Sequence, residues 1–319
     1  MSGKNFAIDF LELIEMNELS QRMALPPDPN TRPPHWTLPE NACDSHIHVF
    51  GPPHKFPYAE GRRYTPPAAP VEHYRNVQAI TGLSRACVVQ PSAHGTDNRA
   101  ILDAIAQSGG AMRGIANIDA KTSDADLDDL QANGILGARF SLMGERDNSP
   151  STEEVAAQIP RMQKRDWIFD LHVDPDDLVE HEKFIRDLPL VTVIDHMARV
   201  RPPGGLGQPA FKLLLELLKD DKYWVKICSF DKLSAVPKAR VEKGLPFTDM
   251  IPFAQAVVAV APDRVLWGSD WPHGNTFKPG RTPNEGDLLD IFAEIAPDEG
   301  LRKKILVDNP AKLFGFSAS

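Results

Sequence analysis

Eight short runs rich in β-branched and aromatic residues recur along this chain, separated by stretches with apolar residues at three-to-four spacing. That alternation constrains the fold more than any other feature, because parallel strands need a crossover between them and a helix is the usual one. The runs fall at 43–49, 85–90, 113–117, 134–140, 167–172, 191–194, 224–228 and 264–268. Helical patterns lie between them at 98–108, 123–133, 151–165, 177–187, 208–221 and 247–260. Eight such units close a (β/α)8 TIM barrel of about 250 residues, and the segment 41–319 is long enough for one. An open doubly wound sheet is the competing architecture, weakened because no glycine-rich dinucleotide-binding turn follows the first run.

The first forty residues are of another kind. A short amphipathic segment at 6–23 leads into ALPPDPNTRPPHWTLPE, where proline removes backbone donors and fixes φ. An N-terminal proline-rich extension, 1–40, is therefore expected to lie along the surface ahead of the barrel, with enough reach to touch a neighbouring subunit. Oligomeric state stays open. A second proline-rich stretch, GPPHKFPYAEGRRYTPPAAP at 51–70, reads as a long ordered loop beside the first strand, the kind that serves as a lid or binding loop.

Charge and composition narrow the partners. Lys and Arg number 35 against 44 Asp and Glu, a formal charge of −9 with no dense basic block, which argues against nucleic acid. No window approaches the roughly 18 unbroken apolar residues of a membrane span. The three cysteines, Cys43, Cys87 and Cys228, are too few and scattered for a disulfide framework. Acidic residues interrupt the N-terminal apolar stretch, so no secretory signal is supported and a cytoplasmic location is expected.

In such a barrel the active site lies at the C-terminal ends of the strands, and there the polar residues gather. Strand one ends in Asp44-Ser45-His46-Ile47-His48, strand five in Asp170-Leu171-His172, strand six in Asp195-His196, and strand eight in Ser269-Asp270-Trp271-Pro272-His273. Residues two apart share a side of a strand, so His46 and His48 can reach one ion or substrate. Neutral imidazoles with one carboxylate suit a divalent first-row metal that keeps an open position. Arg139 in GARF and Arg146 in SLMGERD bring guanidinium groups to the barrel mouth, suited to a bidentate grip on an anionic small-molecule substrate. Ser92 and His94 in VVQPSAHGTDN are further candidates for substrate contact. His35, His73 and His181 fall in the extension or on helical surfaces and are given no chemistry.

Taken together, ACDSHIHVFGP, VVQPSAHGTDN, RGIANID, GARF, VIDHMAR, WGSDWPHGN and VDNPAKLFGF make the chain from about residue 41 onward resemble the amidohydrolase superfamily of the amidohydrolase-2 type. The branch it resembles holds 2-pyrone-4,6-dicarboxylate lactonases and related lactone hydrolases. The resemblance implies a (β/α)8 barrel that hydrolyses a cyclic ester bearing carboxylates. It gives Asp270 the role of activating water, makes His46, His48 and His196 site histidines, and places Tyr64, Ser92, Arg139, Arg146 and Asn275 against the substrate. Two departures stand out. Lys232 occupies the place of an arginine after strand seven, replacing a fork with a point charge. Strand five carries His172, and Asp170 in place of a tyrosine, where the pyrone lactonases work without metal. Metal-dependent relatives have a histidine there, so His172 implies a zinc or manganese site of His46, His48, His172 and Asp270.

The reading is thus a hydrolase that opens a carboxylated lactone or similar cyclic acyl compound, in catabolism of aromatic or sugar-acid metabolites. A metal-dependent, non-oxidative decarboxylase of an aromatic or enoic acid is the alternative on the same residues. A barrel that merely binds an acidic metabolite is disfavoured by the intact histidine and aspartate set.

Overall fold

In the computed structural model, which describes residues 22–143, 149–236 and 244–317, the eight runs become eight parallel strands in sequential order. They are β1 (Cys43–Ile47), β2 (Arg85–Val89), β3 (Met112–Ala116), β4 (Ile135–Leu142), β5 (Ile168–Val173), β6 (Thr192–Ile194), β7 (Tyr223–Ile227) and β8 (Val265–Trp267). Helices cross between them, as the alternation requires. The helix Val71–Thr81 escapes sequence reading because its buried face is only Val71, Tyr74, Val77 and Thr81 among charged and amide side chains. No helix among the described residues is long and apolar enough to cross a membrane.

The barrel closes just beyond β8. There the backbone pairs with the end of β1: Asp270 N–H donates to His46 O at 2.9 Å, and His48 N–H donates to Trp271 O at 2.7 Å. Asp44 locks the seam, accepting from the backbone N–H of Ser269 at 2.9 Å and from the Tyr74 hydroxyl at 3.1 Å. Burial pushes its carboxyl up to about 6, with the bonds from Ser269, His46 and Tyr74 pulling the other way. A register shift between Asp44 and Ile47 bulges β1 at this place.

Inside the barrel the side chains form two layers. Ile168, Val193, Trp224 and Leu266 belong to an apolar cluster sealed by Phe314 and Phe316. Two residues further along the same strands come Asp170, Asp195, Lys226 and Gly268, so the period of a strand stacks a polar layer directly on an apolar one. A Cβ at Gly268 would lie 2.7 Å from that of His46; only glycine lets β1 approach so closely.

The described part of the extension, from Arg22 onward, runs as a strap over its own barrel. Ala24 N–H donates to Thr65 O at 3.0 Å and Leu25 N–H to Thr276 O at 2.7 Å. Further along, Arg32 pairs with Asp287 at 2.6 Å and Asp290 at 2.5 Å, and Trp36 Nε1 donates to Leu289 O at 3.1 Å. These partners lie on the helix Glu285–Ile295, so this stretch covers the same chain; most of the amphipathic segment 6–23 lies outside the described residues.

A Cβ at Gly286 would come 2.5 Å from the carbonyl oxygen of Arg32. Alanine is the better helix former, so Gly286→Ala should strengthen the helix locally while levering the strap away. Limited proteolysis within 22–40 should then speed up by about tenfold, with the circular dichroism of the barrel retained; unchanged cleavage would remove the strap contact from the account.

Candidate active site

The polar layer is built around a buried ammonium. Lys226 on β7 is 1% exposed and lies 2.5 Å from Asp170 Oδ2, 2.9 Å from Asp195 Oδ1 and 3.2 Å from His46 Nδ1. The ammonium therefore lies within ion-pair reach of both buried carboxylates, Asp170 and Asp195. Arg139 adds a second cation, its Nε 2.8 Å from Asp195 Oδ2 and 3.7 Å from Asp170 Oδ1. Burial opposes the charge of Asp195, but Lys226, His46 and Arg139 outweigh it and hold the carboxyl well below its usual range. Asp170 shifts the other way, raised first by burial and then by the neighbouring charge of Asp195.

Above this layer His46 Nε2, His48 Nε2 and Asp270 Oδ1 form a triangle, with separations of 3.3 Å between the histidines, 3.3 Å from His48 to Asp270 and 3.7 Å from His46 to Asp270. His48 Nδ1 lies 2.7 Å from Val89 O; a carbonyl only accepts, so Nδ1 carries the proton and Nε2 presents a lone pair. Burial holds His46 neutral, down to about 3. Asp270 is anchored through its other oxygen, Oδ2, by Ser229 Oγ at 2.8 Å and Lys232 Nζ at 2.6 Å. Burial works against its ionisation, yet Lys232 and the histidines bring its pKa well below the ordinary value. Its Oδ1 is left buried without a hydrogen-bond donor.

This donor set fits a divalent ion. Tetrahedral coordination at about 2.0–2.1 Å requires ligand separations of about 3.3–3.4 Å, close to the observed triangle, and the unpartnered Asp270 Oδ1 is one of its corners. His46 can present a lone pair at Nε2 by turning an Nδ1 proton toward Asp195 Oδ1, 3.2 Å away. His172 does not join the triangle. Its Nδ1 lies 3.2 Å from Ser141 Oγ and its ring centroid 5.7 Å from that of His196, so the structure brings His46, His48 and Asp270 together and leaves His172, the fourth expected ligand, on the cavity wall.

Comparison with known proteins decides the family. The sequence profile described as amidohydrolase matches residues 43–316. The chain belongs to the amidohydrolase family. It is 39% identical over 290 residues to 4-sulfomuconolactone hydrolase of Rhizobium radiobacter, covering 91% of this chain and 95% of that protein. It is 37% identical over 287 residues to 2-pyrone-4,6-dicarboxylate hydrolase of Comamonas testosteroni, covering 89% and 93%. Among solved structures, a probable 2-pyrone-4,6-dicarboxylic acid hydrolase of Acinetobacter baumannii with citric acid bound superposes with a TM-score of 0.74 at 30% identity, covering 86% of this chain and all of that one.

In this amidohydrolase a cavity of about 490 Å³ opens above the triangle, lined by His48, Asp270, His196 and His172 and by Tyr64, Ser92 and Asn275. Arg139 and Lys232 also face it, but each already pairs with a carboxylate, Asp195 and Asp270 respectively. Arg146 lies outside the described residues. His94 is displaced from the role expected for it. Its Nε2 accepts from Gly51 N–H at 3.1 Å and its Nδ1 lies 3.0 Å from Pro57 O, so it ties the proline-rich loop down instead of lining the cavity.

His196 follows β6 in a left-handed turn: His196, Met197, Ala198 and Arg199 all have φ between 51° and 54°. Such a conformation costs about 1–2 kcal/mol per residue, and it turns the His196 ring toward Cys228 Sγ, 2.8 Å from Nδ1. Asp270, at φ 66°, is held in the same region. Sequence reading missed Lys226, although a lysine inside the apolar run YWVKI is a legible signal for a buried ion pair. It gave no role to Asp44, although it noted it at the end of strand one, and none to Ser229.

Lys226→Met would leave Asp170 and Asp195 sharing one arginine. Breaking a buried pair in this way costs about 3–5 kcal/mol, so urea unfolding should show a loss of that size; a loss under about 1 kcal/mol would mean the ammonium is dispensable to the layer.

Proposed function

We propose that this amidohydrolase hydrolyses a lactone bearing at least one anionic group, in the breakdown of aromatic or sugar-acid metabolites. The observation that carries the reading is Asp270 Oδ1: an ionised oxygen without a hydrogen-bond donor, flanked by the imidazoles of His46 and His48 at the floor of a cavity with cationic walls. The names of the relatives, hydrolases of sulfomuconolactone and pyrone dicarboxylate, support the substrate class.

In this mechanism Asp270 Oδ1 takes a proton from water as the water oxygen bonds to the ring carbonyl carbon. Negative charge on the former carbonyl oxygen is met by the N–H groups of Arg139 and Lys232 on the cavity wall. The ring C–O bond then breaks, and the proton held by Asp270 passes to the departing alkoxide, leaving an open hydroxy acid. His196, whose Nε2 lies 3.5 Å from Arg139 Nη2, orients the carbonyl, and Tyr64, Ser92 and Asn275 supply polar contacts to the ring substituents. His46, His48 and Asp270 would hold a divalent ion, whose chemistry when bound is polarisation of the carbonyl and a lowered pKa for bound water.

Asp270→Asn keeps the shape and removes the base. Its kcat on a carboxylated lactone should fall by about 10²–10⁴ with KM little changed, the product of the wild-type enzyme being the ring-opened acid without carbon dioxide. Near-normal turnover by Asp270→Asn would refute the base, and carbon dioxide release would refute hydrolysis. Calorimetric titration of zinc or manganese into chelator-treated protein should saturate at about one ion per chain and be lost in His48→Ala; wild-type-like binding by His48→Ala would place the ion elsewhere.

A further inference from the structure

We propose that Arg22, carried on the N-terminal strap, binds a second anionic group of the substrate at the rim of the cavity and so sets substrate choice. The proposal rests on the lactone-hydrolase reading and deepens it, giving the substrate two acidic groups: one near the reacting carbonyl and one at the strap.

The cations facing the cavity are not equivalent. Arg139 pairs with Asp195, Lys232 with Asp270 and Arg199 with Asp174, each at 2.8 Å or less, and Arg63 is likewise engaged. Arg22 lines the same cavity and has no carboxylate partner among the described residues. A cation that no carboxylate shares keeps its full charge for a ligand anion, whereas Arg139 and Lys232 divide theirs with Asp195 and Asp270.

Arg22 is also held in place. Its carbonyl accepts from Thr65 N–H at 2.9 Å, and Met23 forms a parallel bridge with Thr65. Its guanidinium carbon lies 3.8 Å from the centroid of the Phe277 ring. Stacking occupies the face of the guanidinium and leaves its edge, where the N–H groups point, free to grip an oxyanion. Phe277 in turn meets Tyr64 edge-on, with centroids 6.2 Å apart, so the strap, the loop after β8 and the proline-rich loop build one wall. The strap lies outside the barrel strands and reaches the rim of the cavity. Arg22 is therefore placed to contact the part of a substrate that projects away from the reacting centre. The second group is a carboxylate or a sulfonate, which offer the same paired oxygen acceptors.

The test is the ratio of kcat/KM for doubly anionic over singly anionic lactones, measured on the full chain with dicarboxylated and sulfonated-carboxylated versions of the ring. In Arg22→Ala this ratio should fall at least about tenfold through KM, and Arg22→Lys should recover part of it. The arm with the larger drop identifies the second group. A ratio within about twofold of wild type in both arms, in a variant with wild-type melting temperature, overturns the proposal. If the wild-type protein opens no lactone at all, the hydrolase reading fails, and calorimetry with tricarballylate and butyrate decides Arg22 by itself. Weakening confined to the polyacid supports it; equal affinities in wild type and variant overturn it.

Discussion

The seam between β1 and the segment after β8 is the constraint on which the rest depends. A barrel must join its last strand to its first, and here the joining bonds are made by the backbone of His46, His48, Asp270 and Trp271. The same stretch of main chain therefore closes the fold and fixes the spacing of three reactive side chains. Asp44 pins this seam from the outer side through Ser269 and Tyr74, and Gly268 permits the close approach. Rigidity here is a by-product of closure, which suits a site that tolerates little displacement.

Charge burial is managed in pairs. Lys226 and Arg139 answer Asp170 and Asp195 in the lower layer, and Lys232 answers Asp270 above it. Each of these three carboxylates is compensated within hydrogen-bond or ion-pair reach, as a buried charge requires. For His46 and His196 burial outweighs the pull of the neighbouring carboxylates and lowers the pKa, favouring the neutral form that offers a lone pair to an ion or a substrate. The acidic overall balance of the chain thus says nothing about the cavity, where Arg22 has no carboxylate partner among the described residues.

Several features were legible before any coordinates. The strand runs fell within a few residues of the observed strands because a buried parallel strand must be apolar and β-branched whatever surrounds it. Asp270, His46, His48 and His196 were singled out because polar residues at the C-terminal ends of barrel strands face the mouth where sites form, and the structure brings them around one cavity. Other features were not legible. His172 ends its strand as a ligand should, but its ring turns to Ser141 and the cavity wall. His94 lies in a motif full of site residues and serves the loop instead. The bulge in β1 breaks the simple alternation, placing Cys43 in the apolar layer and His46, three residues on, in the polar one. No local pattern encodes such a shift.

By itself the sequence determined the number and order of the strands, the end of the barrel that carries chemistry, and the residue types gathered there, since strand periodicity and solvent exclusion are local properties of the chain. Tertiary structure alone decided which of those residues meet. The triangle of His46, His48 and Asp270 depends on a closure spanning more than two hundred residues of sequence, and the pairing of Lys226 with Asp170 and Asp195 on the stagger of three strands. The strap shows the same division: proline fixed its extended form, while the carboxylates of a distant helix and the ring of Phe277 decided where it lies and what Arg22 faces.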